Sequence, residues 1–253
     1  MSTIMAHLVA HYPDAERALA AARGLVRGGA ALLEVQFPFS DPTADGPVIQ
    51  TACHEALESG FTVDAGFDFV RKVANEVRSL GREVPIYVMT YASLLYARGV
   101  RRFLADGVAA GATGFILPDV PVDYDEGAWD AAEEVGAKIM PVTVTSAGPD
   151  RLSLLAERNP EHVYVALRRG ITGARTEIGE GNLRFLDQLR STGAKVLAGF
   201  GISDREQVVA LEQHVFGVVV GSAFVRTVTA HAQETPEAIA AALEAQVAEL
   251  AGR

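Results

Sequence analysis

The sequence predicts an α/β fold, a closed (β/α)8 barrel that fills residues 1–253 as a single domain. Two observations carry this. Eight short apolar runs with strand character are each followed by a helix candidate, and no linker or low-complexity segment interrupts the series. Alternation of that kind means a parallel sheet. Eight units in a chain of 253 residues favour a closed barrel over an open doubly wound sheet. The punctuation agrees, because Gly-Ala pairs at Gly29-Ala30, Gly111-Ala112, Gly136-Ala137 and Gly193-Ala194 precede four of the strands. Each pair offers a helix-terminating glycine and a tight turn into the next strand.

In chain order, Ile4 to Val9 is the first strand. Pro13-Asp14 opens a helix over Ala15 to Val26, and Gly28-Gly29 ends it. Ala31 to Gln36 is the second strand, leaving into a loop rich in Pro, Gly, Ser and Asp. Val48 to Glu58 is helical, and so is Val63 to Leu80, where Phe67, Val70, Val73, Ala74 and Val77 recur at the spacing of one buried face. The third strand is Pro85 to Met89, with Thr90 to Ser93 as its exit loop and Val100 to Ala110 as the next helix. Gly114 to Leu117, Ala137 to Val144, His162 to Leu167, Lys195 to Ala198 and Phe216 to Val220 are strands four to eight. Tyr124 to Val135, Pro149 to Arg158, Asn182 to Arg190 and Asp204 to Gln213 are the helices between them, the last capped by Ser203 or Asp204. A short helix after Gly221-Ser222 and an Ala/Glu-rich helix over Pro236 to Ala251 complete the chain.

A formal net charge of −10 argues against nonspecific binding to nucleic acid or to an anionic membrane. The single cysteine, Cys53, excludes an intramolecular disulfide and fits a reducing compartment. No signal peptide pattern and no apolar run of roughly 20 residues is visible, so the expectation is a cytoplasmic protein without a membrane span.

The second strand breaks a rule. A strand buried in a parallel sheet should be nearly all apolar, yet Leu32-Leu33-Glu34-Val35-Gln36 carries a carboxylate. Glu34 either ends the strand facing a cleft or is paired inside, because a buried lone charge is expensive. Asp45 follows on the exit loop and can fold back over the barrel mouth. Two carboxylates in different surroundings can divide proton transfer from holding a donor. Gly170 to Gly173, Gly199 to Gly201 and Gly221-Ser222 follow strands six, seven and eight. In a barrel those loops are neighbours, and their backbone N–H groups with a helix N-terminus suit a phosphate. Tyr91 is placed to pack on an aromatic ligand or to donate a hydrogen bond, or else is a half-buried rim residue. Asp119, between two prolines, reads as a turn or subunit-contact residue, and Thr172 as a residue able to bond Asp45 if its loop closes. The six histidines show no ligand-like spacing, so no metal site is expected. Neither GxGxxG after the first strand nor a P-loop lysine is present, which disfavours nucleotide binding.

Phe37-Pro38-Phe39-Ser40-Asp41-Pro42-Thr43-Ala44-Asp45-Gly46-Pro47-Val48-Ile49-Gln50 resembles the signature of the tryptophan synthase alpha subunit family. The resemblance continues through Met89 to Ala92, Pro118 to Pro121, Arg168 to Ala174, Gly199 to Ser203 and Gly221-Ser222, in the same order and over nearly the whole chain. It implies a TIM barrel lyase that cleaves indole-3-glycerol phosphate to indole and glyceraldehyde 3-phosphate in tryptophan biosynthesis. It implies no cofactor on this chain, pyridoxal phosphate being expected only on a partner beta subunit, and assembly as an alpha2beta2 heterotetramer. Carried over, Glu34 matches the general acid–base group and Asp45 the partner of the indole nitrogen. Tyr91 matches a residue near the substrate, Thr172 the residue that orients Asp45, and Gly173, Gly199, Gly201, Gly221 and Ser222 the phosphate ligands. The Ser40 to Gly46 loop and Pro118 to Pro121 resemble parts of the beta-subunit contact.

Departures from the family pattern are His11-Tyr12 before Pro13, Gln36 in place of a usual glycine, Val48 for threonine, Ser93 for asparagine, and almost no helix before the first strand. They bear on the indole pocket and on the affinity for a beta subunit. Two other functions fit the same residues: a non-catalytic partner that activates a beta subunit, or a lyase or isomerase of another sugar phosphate.

Overall fold

The computed structural model describes residues 2–167 and 178–253. Among these residues, nine parallel strands form one sheet in the order β5-β4-β3-β2-β1-β9-β8-β7-β6. The strands are β1 (Ile4–Val9), β2 (Leu32–Gln36), β3 (Ile86–Met89), β4 (Gly114–Ile116), β5 (Lys138–Met140), β6 (Val142–Val144), β7 (His162–Ala166), β8 (Lys195–Gly199) and β9 (Gly217–Val220). The ends of this order, β5 and β6, are the two halves of the single strand expected over Ala137 to Val144. Pro141 divides them, since proline cannot donate to a ladder. The Tyr164 N–H donates to the Pro141 carbonyl at 2.9 Å. The sheet thus closes through this broken strand, and the fold is the expected barrel.

Sequence alternation sets which side chains enter the barrel. Leu33 and Val35 of β2, with Phe37 just after it, face the outer core. Leu32 joins an interior cluster with Met5, Tyr87, Met89, Ile116, Met140, Tyr164, Leu197 and Val219. Glu34 and Gln36 share the phase of Leu32 and so point inward. The outer layer behind β2 is anchored by Phe37, which meets Phe61, Phe67 and Phe103 edge to face at 5.6, 5.2 and 6.0 Å. Such pairs add about 0.5–1.5 kcal/mol each beyond area burial. They hold the strand that carries the interior carboxylate.

The helices are α1 (Ala15–Arg27), α2 (Pro47–Glu58), α3 (Val63–Ser79), α4 (Ala92–Arg98), α5 (Val100–Ala110), α6 (Ala128–Val135), α7 (Pro149–Arg158), α8 (Glu180–Arg190), α9 (Arg205–Leu211), α10 (Ser222–Ala230) and α11 (Pro236–Ala251). Side chains of Asp14, Thr62, Asp204 and Thr235 cap α1, α3, α9 and α11 by accepting backbone N–H groups three residues on. The glycines of the four Gly-Ala pairs have φ of 96°, 107°, 72° and 92°, the left-handed region that closes a helix and turns into a strand.

Two segments depart from expectation. Ala92–Arg98 is helical rather than loop, because both carboxylate oxygens of Asp119 accept the Ala92 N–H, at 3.0 and 3.1 Å. The cap arrives from 27 residues away. Helix α6 begins at Ala128, not Tyr124, since Glu126 and Gly127 are left-handed at φ 47° and 80°.

Candidate active site

Glu34 lies in the middle of β2, not at its end. Its register partners are His7 on β1 and Tyr87 on β3. Parallel pairing places the His7 and Glu34 side chains side by side inside the barrel, both buried, with His7 Nδ1 3.2 Å from Glu34 Oε1. Among the described residues, His7 Nε2 and Glu34 Oε2 have no hydrogen-bond partner. His7 is not among the residues expected at the site, because a lone histidine in an apolar strand gives no signal in one dimension. Its alignment beside Glu34 exists only once the strands pair.

Asp45 does fold back over the mouth and is 4% exposed. Its N–H donates to the Pro42 carbonyl at 3.0 Å, and its carbonyl accepts Gln50 Nε2 at 2.8 Å. Its carboxylate Oδ2 accepts Gln36 Nε2 at 2.7 Å and the Tyr91 hydroxyl at 2.8 Å. Tyr91 is fully buried rather than half-buried, and its hydroxyl also accepts the Ala44 N–H at 3.1 Å. Its ring stacks on Phe39 at 5.3 Å. Tyr91 thus ties the Phe39 to Asp45 loop to the end of β3 and holds the acid in place.

Glu34, Asp45, His7, Gly201, Gly221 and Ser222 line one cavity. Its waist is apolar, formed by Ile49, Met89, Ile116, Val142 and Val219, with Tyr164 and Phe200 at one wall. Those two rings meet edge to face at 5.9 Å. Neither ring stands out in the sequence, because each reads as an ordinary core aromatic.

Gly221 caps α10, and Ser222 is its first residue, so unsatisfied N–H groups and the helix dipole face this cavity. Gly201 has φ of 83°. Gly199 has another role. A Cβ there would sit 2.6 Å from the Tyr164 hydroxyl oxygen, so this glycine makes room for the Tyr164 ring rather than lining the cavity. Thr172 and Gly173 lie outside the described residues. The departures His11 and Tyr12 are packed at the loop after β1: His11 lies edge-on to Phe61 and Phe69, and the Tyr12 hydroxyl is 2.8 Å from Thr229 Oγ1.

The electrostatics follow from burial. Desolvation alone would lower the His7 pKa, but the Glu34 carboxylate beside it, with a further contribution from Asp45, turns the net shift upward. Burial raises the Asp45 pKa. His7, the Tyr91 hydroxyl and the Gln36 amide offset part of this, while Glu34 adds to it. The Tyr164 hydroxyl is pushed well up by burial and by both carboxylates, so it is a neutral donor at physiological pH. Among the described residues no group of three His, Cys, Asp or Glu side chains could hold a metal ion. Among the same residues no helix is long and apolar enough to cross a membrane.

Fold and site together define a (β/α)8 barrel with a buried acid pair facing a cavity that ends on a helix N-terminus. The family described as Tryptophan synthase alpha chain matches residues 2–252 of this chain. The tryptophan synthase alpha chain of Helicobacter hepaticus is 36% identical over 228 residues, covering 89% of this chain and 85% of its own length. That of Gloeobacter violaceus is 38% identical over 224 residues, covering 88% and 79%. A chain from the tryptophan synthase α2β2 complex of Pyrococcus furiosus superposes with a TM-score of 0.87 at 33% identity, covering 100% of this chain and 98% of that one. A chain of Mycobacterium tuberculosis tryptophan synthase does so with 0.87 at 30% identity, covering 99% and 91%. The chain belongs to the tryptophan synthase alpha chain family.

Proposed function

We propose that this chain, a single barrel domain over residues 1–253, cleaves indole-3-glycerol phosphate to indole and glyceraldehyde 3-phosphate in the cytoplasm. The observation that carries this reading is the placing of two buried carboxylates and the N-terminus of α10 around one cavity with an apolar waist. The waist takes the flat indole ring. The phosphate sits against Gly201, Gly221, Ser222 and the first turn of α10, where backbone N–H groups and the dipole favour an anion. Thr172 and Gly173, which the resemblance assigns to the same site, lie outside the described residues.

Asp45 accepts the indole N–H and stabilises the positive charge that grows on the ring when its C3 is protonated. Glu34 delivers that proton through Oε2, the oxygen without a partner among the described residues, and then takes the proton of the 3′-hydroxyl. As that proton leaves, the carbonyl of glyceraldehyde 3-phosphate forms. The C3–C3′ bond breaks, and its electron pair returns to the ring. The family has no cofactor of its own. The partner is a beta subunit carrying pyridoxal phosphate, in an alpha2beta2 heterotetramer. The rim that would meet it includes the exposed Ser40, Asp41 and Thr43, on the loop that also carries Asp45, so docking and catalysis share one segment.

The test is release of indole from indole-3-glycerol phosphate, with and without a beta subunit. Glu34→Gln and Asp45→Asn are expected to fold and to lose at least about a hundredfold in rate, as removal of a general acid–base group does. Full activity in either would overturn the assignment. Complex formation with negligible cleavage by the wild-type chain would instead mark it as an activating partner, and turnover of another sugar phosphate as a different lyase or isomerase.

A further inference from the structure

The pair on β1 and β2 has a feature that general acid–base work by one carboxylate does not require. In-register parallel strands set His7 against Glu34, with Nδ1 to Oε1 at 3.2 Å. Both side chains are almost wholly buried, and both line the cavity. One atom of each, His7 Nε2 and Glu34 Oε2, is left without a partner among the described residues. A buried polar atom without a partner is costly, and at a cavity wall it marks where a ligand atom or water bonds. The space beside the ring is kept open by Gly221, whose Cβ position would lie 3.6 Å from the imidazole. His7 therefore stands between the general acid–base group and the N-terminus of α10.

We propose that His7 is a positioning residue that shares one exchangeable proton with Glu34, fixing Oε1 so that Oε2 meets the substrate. The proposal rests on the lyase reading for its chemistry. The proton leaves the pair through Glu34 as the bond to the indole C3 forms. It is replaced when the substrate O–H breaks and its proton returns to Glu34. The carbon–carbon electron pair goes back to the ring, and the pair ends as it began. Among the described residues, the charged groups facing His7 are Glu34 from β2 and Asp45 from the loop after it. Tyr164 from β7 is titratable but neutral, and Gly221 and Ile49 bring no charge. Two carboxylates against one imidazole favour its charged form, which agrees with the upward shift at His7.

The experiment has two arms. In the first, NMR follows the ¹⁵N-labelled His7 ring through a pH titration of the full chain, wild type and Glu34→Gln. The wild-type ring is expected to titrate above the ordinary 6.5, and Glu34→Gln to bring it down. In the second, kcat and KM for indole release are measured against pH with a beta subunit bound. His7→Asn keeps an N–H near the place of Nδ1 but carries no titrating proton. It is expected to lower kcat about tenfold with KM little changed, and to move the alkaline limb of the kcat profile to lower pH. His7→Ala, which loses the N–H as well, is expected to fall further. A wild-type His7 titrating at or below 6.5, or an unchanged pH profile in His7→Asn, would overturn the proposal. Absence of indole release by the wild-type chain would sink the lyase reading instead, while the NMR arm would still decide whether the pair shares a proton.

Discussion

Removing one oxygen atom from Tyr91 tests how the site holds its second acid. The Tyr91 hydroxyl donates to Asp45 Oδ2 at 2.8 Å and accepts the Ala44 N–H at 3.1 Å, and the residue is 1% exposed. Tyr91→Phe keeps the stack on Phe39, removes both bonds and leaves that oxygen the bond from Gln36 Nε2. A buried hydrogen bond to a charged group contributes about 1.5–3 kcal/mol, and if Asp45 must be held to meet the charge on the indole ring, the same loss appears in the rate. That corresponds to a fall in kcat/KM of about 10- to 150-fold. The same quantity lowers the unfolding midpoint by about 3–12 °C for a chain of this size. The assay is steady-state indole release with a beta subunit bound, beside thermal unfolding of the chain alone. In an Asp45→Asn background the bond becomes neutral to neutral, so Tyr91→Phe should cost no more than about half as much stability there. A kcat/KM within twofold of wild type, or an equal stability cost in both backgrounds, refutes the idea that Tyr91 acts through Asp45.

Two glycines expected to hold phosphate should separate. At Gly199 a Cβ would run into the Tyr164 ring, so Gly199→Ala is expected to lose about 1–3 kcal/mol of stability by overpacking, read from denaturant unfolding. At Gly221 a Cβ meets His7 and Ile49 only at 3.6–3.7 Å. Gly221→Ala is therefore expected to fold with near-native stability and raise KM about tenfold by crowding the phosphate, read from substrate saturation. Asp45 also leaves a mark on stability against pH. Its folded pKa is raised, so the folded form binds more protons than the unfolded chain above the ordinary 3.8, and stability falls as pH rises from there through the folded value. Asp45→Asn is expected to remove that part of the fall, its stability relative to wild type improving with pH across the window. The unfolding midpoint measured from pH 3 to pH 8 checks this, and an unchanged slope would count against it.

The parts of this molecule that are readable in one dimension are those whose cause is local. The helix stops at Gly29, Gly111, Gly136 and Gly193 need only a residue able to turn left-handed, and all four do so. The inward phase of Leu32, Glu34 and Gln36 needs only alternation, and one carboxylate in an apolar run is enough to mark Glu34 as an anomaly. Pro141 is equally local, yet a single strand is expected across it, and the structure divides that strand there. What is not readable are contacts made across the sheet. The cap that makes Ala92–Arg98 a helix comes from Asp119, and the hydroxyl that holds Asp45 comes from the end of β3. The imidazole beside Glu34 comes from β1. Gln36 shows both limits in one residue. Its departure from the usual glycine is visible in the sequence, and so is its inward phase, which predicts a polar group two residues nearer the mouth than Glu34. Its destination is not, because Asp45 reaches it only after nine residues of chain have folded back over the barrel. Once that fold is made, the barrel gives each acid a donor from a neighbouring position: His7 on Glu34 Oε1, and Gln36 with Tyr91 on Asp45 Oδ2. Two carboxylates desolvated in one pocket repel each other, and at Asp45 these donors offset part of the cost of burial.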